Sequence, residues 1–258
     1  MLIAVITGAS SGIGEAFLRR IVTDKSYDQI WVIARREDRL NALKDELDPQ
    51  RIVPVAADIA SAVGIDILRD KLESEKPSIA LLINCAGMGK RGNVKDSRTS
   101  DLAMTVDLNC RCLTEVTSIC IPYMIDVHAN IINIASSAAF LPQPGFAVYA
   151  ASKAYVVSLS RALACELKPY DIGVTTVCPG PVKTEFLSKA TDNKESEFTG
   201  LRALCAADAD KLAKASLKAA FARRRLFVYG ISQKALHLAS KIVPTSFILF
   251  LEKFAVKQ

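Results

Sequence analysis

Seven short apolar runs without charge recur along the chain, and helix-period segments separate them. The runs are LIAVI (2–6), IWVIA (30–34), IVPVAA (52–57), IALLIN (79–84), IINIA (131–135), GVTTVC (173–178) and LFVYG (226–230). Near-continuous apolar runs of this length, rather than alternating ones, mark strands covered on both faces, as in a parallel sheet. The stretches between them, 13–23, 36–48, 60–75, 100–121, 150–168 and 209–222, are amphipathic. This alternation predicts an α/β fold, a doubly wound seven-stranded parallel sheet with helices on both faces and right-handed crossovers. No linker, repeat or low-complexity segment divides the sequence, so residues 1–258 read as one domain.

Composition narrows the functional classes. Half of the residues are hydrophobic and 23% are charged, which is enough apolar surface to offset ordering entropy and excludes a disordered chain. The net charge of +6 is dispersed, and the longest like-charged run, Arg223-Arg224-Arg225, ends a helix-type segment where cations suit the dipole. No nucleic-acid partner is expected. Seven cysteines with no CxxC pair, beside two histidines, give neither a disulfide framework nor a zinc site, so no metal is expected. Reduced, mostly buried thiols imply a cytoplasmic protein. Met1 leads straight into LIAVI without a basic region, so no signal peptide is expected. Residues 129–152 carry no charge, but Asn130, Asn133, Ser136, Ser137, Pro142, Gln143, Pro144 and Gly145 make that run unfit for a transmembrane helix.

Two segments break the alternation. Residues 184–207 form a long polar stretch, a candidate lid over the substrate. Residues 231–258 return to helical patterning as a C-terminal extension. Its FILFL run is too short to cross a bilayer and suits the core, a partner subunit, a substrate pocket or a membrane surface.

The first strand runs into Thr7-Gly8-Ala9-Ser10-Ser11-Gly12-Ile13-Gly14 and then a helix. A glycine turn in that position presents backbone N–H groups and a helix dipole to a pyrophosphate. Gly8 allows the tight turn, Gly12 lets the backbone approach the phosphates, and Gly14 permits close helix–strand packing. A dinucleotide fold reads the ribose about 20 residues past the turn, at the end of the second strand. Arg35 and Arg36 stand there with no acid, which points to a 2′-phosphate and hence NADP(H), with NAD(H) disfavoured. The same two arginines also begin an exposed helix, REDRLNALKDEL, which needs no ligand to explain it.

Tyr149 and Lys153, in YAASK, share one helical face at i, i+4 spacing. A cation beside a phenol lowers its pKa and makes it usable as a general acid or base. Ser136 lies beyond the C-terminal end of IINIA, where open α/β sheets bind ligands, and its hydroxyl can bond a reacting carbonyl. Ser137 beside it leaves the choice of serine open.

With the glycine turn, these residues resemble the short-chain dehydrogenase/reductase family. The pattern reads TGASSGIG at 7–14, NCAG at 84–87, Asn109 in DLNCR, Ser136 in NIASS, YAASK at 149–153 and PGPVKT at 179–184, so the motif-bearing core spans residues 2–185. The resemblance implies a Rossmann fold and reversible hydride transfer between a nicotinamide and a ketone, aldehyde or alcohol. It casts Tyr149 as the proton donor, Lys153 as its partner and a ribose ligand, Ser136 as the carbonyl orienter and Asn109 as the anchor of a proton relay. It places Ser10, Ser11, Ile13, Asp58, Ile59, Asn84, Ala86 and Gly87 around the coenzyme. Pro179, Gly180, Val182 and Thr184 fall beside the nicotinamide and phosphates. Cys85 departs from the family, which often carries a second asparagine there. The resemblance also implies a homodimer or homotetramer through the helices at 100–121 and 150–168.

Substrate identity is not written in these motifs. The C-terminal part loosely resembles reductases acting on lipid-like carbonyls, 3-oxoacyl or steroid-like. The competing reading is a catalytically silent NADP-binding regulator or scaffold, and such a chain usually loses the Tyr or the Lys.

Overall fold

The computed structural model describes residues 1–190, 206–247 and 249. Its centre is one seven-stranded sheet in the order β3-β2-β1-β4-β5-β6-β7, with every pairing parallel. The strands are β1 (Leu2–Thr7), β2 (Gln29–Ala34), β3 (Ile52–Ala56), β4 (Ser78–Asn84), β5 (Asn130–Ile134), β6 (Gly173–Pro179) and β7 (Leu226–Tyr229). All seven coincide with the apolar runs to within a residue or two. The chain belongs to the α/β class with the predicted doubly wound, Rossmann-like sheet.

Successive side chains of a strand point to opposite faces, and β1 shows what that does. Ala4 and Ile6 pack with α1 (Gly12–Ile21), α2 (Glu37–Leu47) and α8 (Ala209–Phe221), through Phe17, Leu18, Leu40, Leu43 and Leu212. Ile3 and Val5 pack with α3 (Ala62–Glu75) and α5 (Leu113–Cys120), through Leu68, Leu72, Val116 and Cys120. Both faces are therefore dry, which is why the run carries no polar alternation. Each fully buried Leu or Phe contributes roughly 1.5–3 kcal/mol. Trp31 is buried on β2 and its indole N–H donates to Gln29 Oε1 at 2.9 Å.

Polar chemistry sets the helix ends. Ser61 Oγ accepts from Gly64 N at 3.0 Å to start α3, and Asp208 accepts from Lys211 N at 2.9 Å to start α8. Arg20 of α1 pairs with Asp210 of α8, fastening two helices on one face. Arg223, in the left-handed region at φ 54°, donates to the carbonyls of Ala129 and Asp171, so the arginine run after α8 ties that helix to the β5 and β6 starts.

The 100–121 stretch is not the single helix its pattern predicts. It divides into α4 (Thr99–Val106), a π-helical segment (Asp107–Cys112) and α5. The wider turn rotates the helix register, so that Asn109 is buried while its neighbours Leu108 and Cys110 are half-exposed. After β5 the chain enters α6 (Ala147–Glu166). Beyond β6 lies α7 (Glu185–Ala190), and α9 (Ile231–Ile242) follows β7. Residues 191–205 of the expected lid, and FILFL apart from Phe247 and Leu249, lie outside the described residues. Among the described residues, no helix is long and apolar enough to cross a membrane.

Candidate active site

The strand order reverses between β1 and β4, and the turn after β1 opens at that point. Gly8 and Gly12 take φ values of +69° and +60°, which only glycine adopts without strain. A side chain on Gly8 would stand 2.8 Å from the Ala86 backbone, and one on Gly14 would stand 2.3 Å from the Gly8 carbonyl. Thr7 Oγ1 accepts from the amides of Cys85 (3.1 Å) and Ala86 (3.2 Å), which locks the ends of β1 and β4 together. At the start of α1, Ser11 is extended and makes no side-chain cap bond, so among the described residues the first helical N–H groups face the turn without a side-chain acceptor. These bare amides and the glycine cradle fit a dinucleotide pyrophosphate.

Arg36 closes one side of the turn. It donates to Ser10 Oγ (3.2 Å) and to the Ser10 carbonyl (3.3 Å), and its other arm lies 3.2 Å from Glu185. Arg35 points outward, with Asp58 3.9 Å away. Asp58 also accepts from Ala60 N at 3.1 Å, shaping the turn after β3.

Beyond the sheet end, Tyr149, Lys153, Ser136 and Asn109 converge from three different elements. Lys153 Nζ donates to the Ile134 carbonyl at 2.9 Å and lies 5.8 Å from the Tyr149 ring centre. Ser136 stands on the Tyr149 side of the site, where its hydroxyl favours the ionised phenol, whereas Ser137 is buried. Ser136 Oγ also accepts from Ala138 N at 3.1 Å, which fixes its rotamer at the start of the Ser137–Phe140 turn. Asn109 accepts from Met88 N (2.9 Å) and donates to the Met88 carbonyl (2.7 Å) and Ser152 Oγ (2.9 Å). A Cβ on Gly87 would sit 3.0 Å from Asn109 Oδ1 and 3.2 Å from Lys153 Nζ, so Gly87 is the spacer between them.

Burial governs the electrostatics. It pushes the Tyr149 phenol up to about 12 against the opposing hydrogen bond from Ser136, and it brings Lys153 down to about 8. Desolvation is the larger effect in this pocket, so the lowering expected from the lysine does not bring the phenol below its ordinary value. Burial also raises the thiols of Cys85 and Cys178 to about 12, which leaves both neutral beside Lys153.

The sequence model of the short chain dehydrogenase family matches residues 2–195. The chain belongs to the short-chain dehydrogenase family. A sulfoacetaldehyde reductase 2 of Chromohalobacter salexigens is 34% identical over 203 residues, covering 77% of this chain and 80% of the relative. The NADP-dependent 3-hydroxy acid dehydrogenase YdfG of Salmonella typhi is 32% identical over 204 residues, covering 75% and 79%. Among solved structures, a short-chain dehydrogenase from Sphingobium yanoikuyae in complex with NADPH superposes with a TM-score of 0.81 at 26% identity, covering 93% and 94%. The family's members are oxidoreductases acting on carbonyl and alcohol groups.

Within this family fold, the sequence-selected residues divide into two sets. Gly8, Ser10, Ser11, Gly12, Gly14, Arg36, Ala86, Gly87 and Thr184 surround the turn, and Ser136, Tyr149, Lys153 and Asn109 form the polar cluster. Thr184 packs on Gly12, whose added Cβ would lie 3.1 Å from the threonine side chain. Ile13, Ile59 and Val182 instead direct their side chains into the core and can meet a coenzyme only through main chain. Asn84 likewise donates inward, to Asn133 Oδ1 (2.8 Å) and Thr117 Oγ1 (2.9 Å), in a buried network that continues to Ser160. Gly180, after Pro179, is covered by the Gln233 side chain of α9.

Several neighbours escaped the sequence reading. Phe146 stacks on Tyr149 at 4.3 Å and Phe186 lies 5.4 Å from it, while Gly89 leaves room for that ring. Phe146 could have been found, because it lies just three residues before Tyr149, at the cap of the same helix. Phe186 comes from the short helix α7, and Gly89 and Met88 from the loop after β4, and no local signal marks them.

Proposed function

We propose that this chain is an NADP(H)-dependent reductase that converts a ketone or aldehyde to an alcohol, reversibly. The observation that carries the reading is the convergence of Ser136, Tyr149 and Lys153 beside a glycine turn fastened by Arg36. A bound nicotinamide supplies or accepts the hydride. The Tyr149 phenol gives its proton to the substrate oxygen, and the Ser136 hydroxyl holds that oxygen in place. The ammonium of Lys153 stabilises the phenolate left on Tyr149 and returns a proton to it. Asn109 anchors the Met88 loop and Ser152 around that relay. Burial excludes bulk water, so each of these hydrogen bonds acts in a low dielectric.

Arg36, supported by Arg35, favours a 2′-phosphate over a 2′-hydroxyl. Asp58 and the Ile59 main chain flank the adenine, while Thr184 and the main chain at Pro179, Gly180 and Val182 line the nicotinamide side, and Asn84 supports that side from its buried network. The name of the Salmonella relative and the coenzyme held by the Sphingobium structure support the same preference.

Two substrate classes fit. The aromatic enclosure of Tyr149 by Phe146 and Phe186 favours the lipid-like carbonyls, 3-oxoacyl or steroid-like. Arg91, whose guanidinium lies 5.4 Å from the Phe146 ring, favours short anionic carbonyls, the class in the names of the sulfoacetaldehyde and 3-hydroxy acid relatives. A silent NADP-binding regulator is disfavoured by the complete Asn–Ser–Tyr–Lys set. Exposed Met104, Val106 and Tyr155 on α4 and α6 support a homo-oligomer through those helices, and the free cysteines support a cytoplasmic location.

The test is a titration with NADPH and with NADH, followed by NADPH oxidation across aldehydes, diketones, 3-oxoacyl thioesters, steroid ketones and short 3-oxo acids. Preferential NADPH binding with turnover supports the reductase. Binding without turnover on any of them favours the regulator.

A further inference from the structure

Arg36 is held from two directions. Its Nε and Nη2 donate to Ser10 at 3.2–3.3 Å, inside the glycine turn, and its Nη1 lies 3.2 Å from Glu185 Oε2. Glu185 opens α7, so the ion pair bridges the coenzyme end of β2 and the segment that follows β6. Contacts on either side keep that bridge in place. Thr184 packs on Gly12, Phe186 faces the Tyr149 ring at 5.4 Å, and Ala190 accepts from Arg91 N at 2.9 Å.

A guanidinium has five N–H donors in a fixed plane. Ser10 takes the Nε and Nη2 side, which leaves Nη1 as the outward arm. That arm is the one a phosphate would use, and a carboxylate already occupies it. A phosphate dianion and the Glu185 carboxylate carry like charge and require the same donor, so they compete.

We propose, resting on the NADP(H) reading above, that Glu185 is a coenzyme-discriminating counter-ion: it occupies Arg36 until a 2′-phosphate displaces it. NAD(H), with a hydroxyl at that position, leaves the pair intact. Glu185 thus lowers the affinity for NADP(H) without touching that for NAD(H), and it sets how far the chain separates the two coenzymes.

Calorimetric titration of the full chain with NADP+ and with NAD+ tests this in five forms: native, Glu185→Gln, Glu37→Gln, Arg36→Ala and the Glu185→Gln/Arg36→Ala double variant. Glu185→Gln should tighten NADP+ about five-fold at low ionic strength, less at high salt, and leave NAD+ within about two-fold. Glu37→Gln removes an equal charge from the residue after Arg36 and should move NADP+ by less than about two-fold. Arg36→Ala should weaken NADP+ by about ten-fold or more and erase the gain from Glu185→Gln when the two are combined. Unchanged or weaker NADP+ binding in Glu185→Gln, with the Arg36→Ala loss intact, overturns the counter-ion and leaves the 2′-phosphate reading standing. Equal gains from Glu185→Gln and Glu37→Gln overturn it too, because general charge would account for both. If Arg36→Ala leaves NADP+ binding untouched, the 2′-phosphate reading falls and the counter-ion falls with it.

Discussion

Lys153 Nζ donates to the Ile134 carbonyl at 2.9 Å, anchoring the site's buried cation to the last residue of β5. One of three ammonium donors is used there, and burial holds the group at about 8, so it is charged below that pH and neutral above it. If the charge on Lys153 assists proton return to Tyr149, kcat/KM for reduction should be flat below about 8 and fall above it. Lys153→Arg keeps the charge and should move the falling limb upward by more than a pH unit. A limb that stays near 8 in the arginine variant would assign it to another group.

Tyr149 and Lys153 should affect stability with opposite signs as pH rises. The folded-state value of Lys153 lies below its ordinary 10.5, so between about 8 and 10.5 the folded chain binds fewer protons than the unfolded one and stability increases with pH. Below about 8 the buried ammonium is a cost. Tyr149 is raised from 10 to about 12, so its contribution is fully present below 10 and is lost between 10 and 12. Urea midpoints measured across pH should show a smaller rise from 8 to 10 in Lys153→Met and a smaller fall above 10 in Tyr149→Phe. A tenfold difference in proton affinity between the folded and unfolded chain corresponds to about 1.4 kcal/mol.

Tyr149→Phe removes only the hydroxyl and keeps the ring against Phe146 and Phe186. Turnover should drop by about 10³-fold or more, because the proton donor for the substrate oxygen is gone. NADPH affinity, measured by fluorescence titration, should stay within about two-fold. A parallel loss of affinity would make the residue a binding group rather than the proton donor.

Asn109 carries three hydrogen bonds from inside the π-helical segment, two to Met88 and one to Ser152. Asn109→Ala removes the partner of the Met88 amide and carbonyl, while Ser152 Oγ keeps its bond to the Tyr149 carbonyl, and should destabilise the fold by about 1–3 kcal/mol. The Met88 loop should loosen with it, which hydrogen exchange at residues 87–90 would report. Asn109→Asp preserves the acceptor for Met88 N but sets an oxygen against the Met88 carbonyl, and should not restore the stability. An alanine variant of native stability and unchanged exchange would place the loop's anchor elsewhere.

How legible all this was in the sequence depends on the range of the interactions. The strands could be read because burial on both faces leaves a local trace: Ile3 to Thr7 must all be apolar or hydrogen-bonded. The glycine turn and YAASK could be read because their geometry is fixed within a few residues. The break in 100–121 could not, because DLNCR looks helical and only the tertiary demand of Asn109 on Met88 and Ser152 selects the wider turn. Nor could the roles of Asn84, Ile59 and Val182. Their place near the strand ends is local, but which way a side chain turns there is decided by partners such as Asn133 and Thr117 for Asn84, far away in sequence. The Arg36–Glu185 pair spans 149 residues, beyond any local pattern.

Two glycines should respond very differently to the same substitution. Gly14 sits in α1, where alanine would ordinarily favour the helix. Its added Cβ would meet the Gly8 carbonyl at 2.3 Å, and that backbone cannot yield without opening the turn. Gly14→Ala should therefore cost about 2–3 kcal/mol and weaken coenzyme binding by about ten-fold or more, through displacement of Gly8. Gly145 has a φ of +72° and open space around it, so Gly145→Ala carries only the left-handed penalty of about 1–2 kcal/mol. Coenzyme affinity should not change there. Thermal melts paired with NADPH titrations separate the two cases, and a Gly14→Ala chain that binds NADPH normally would show that the turn tolerates the displacement.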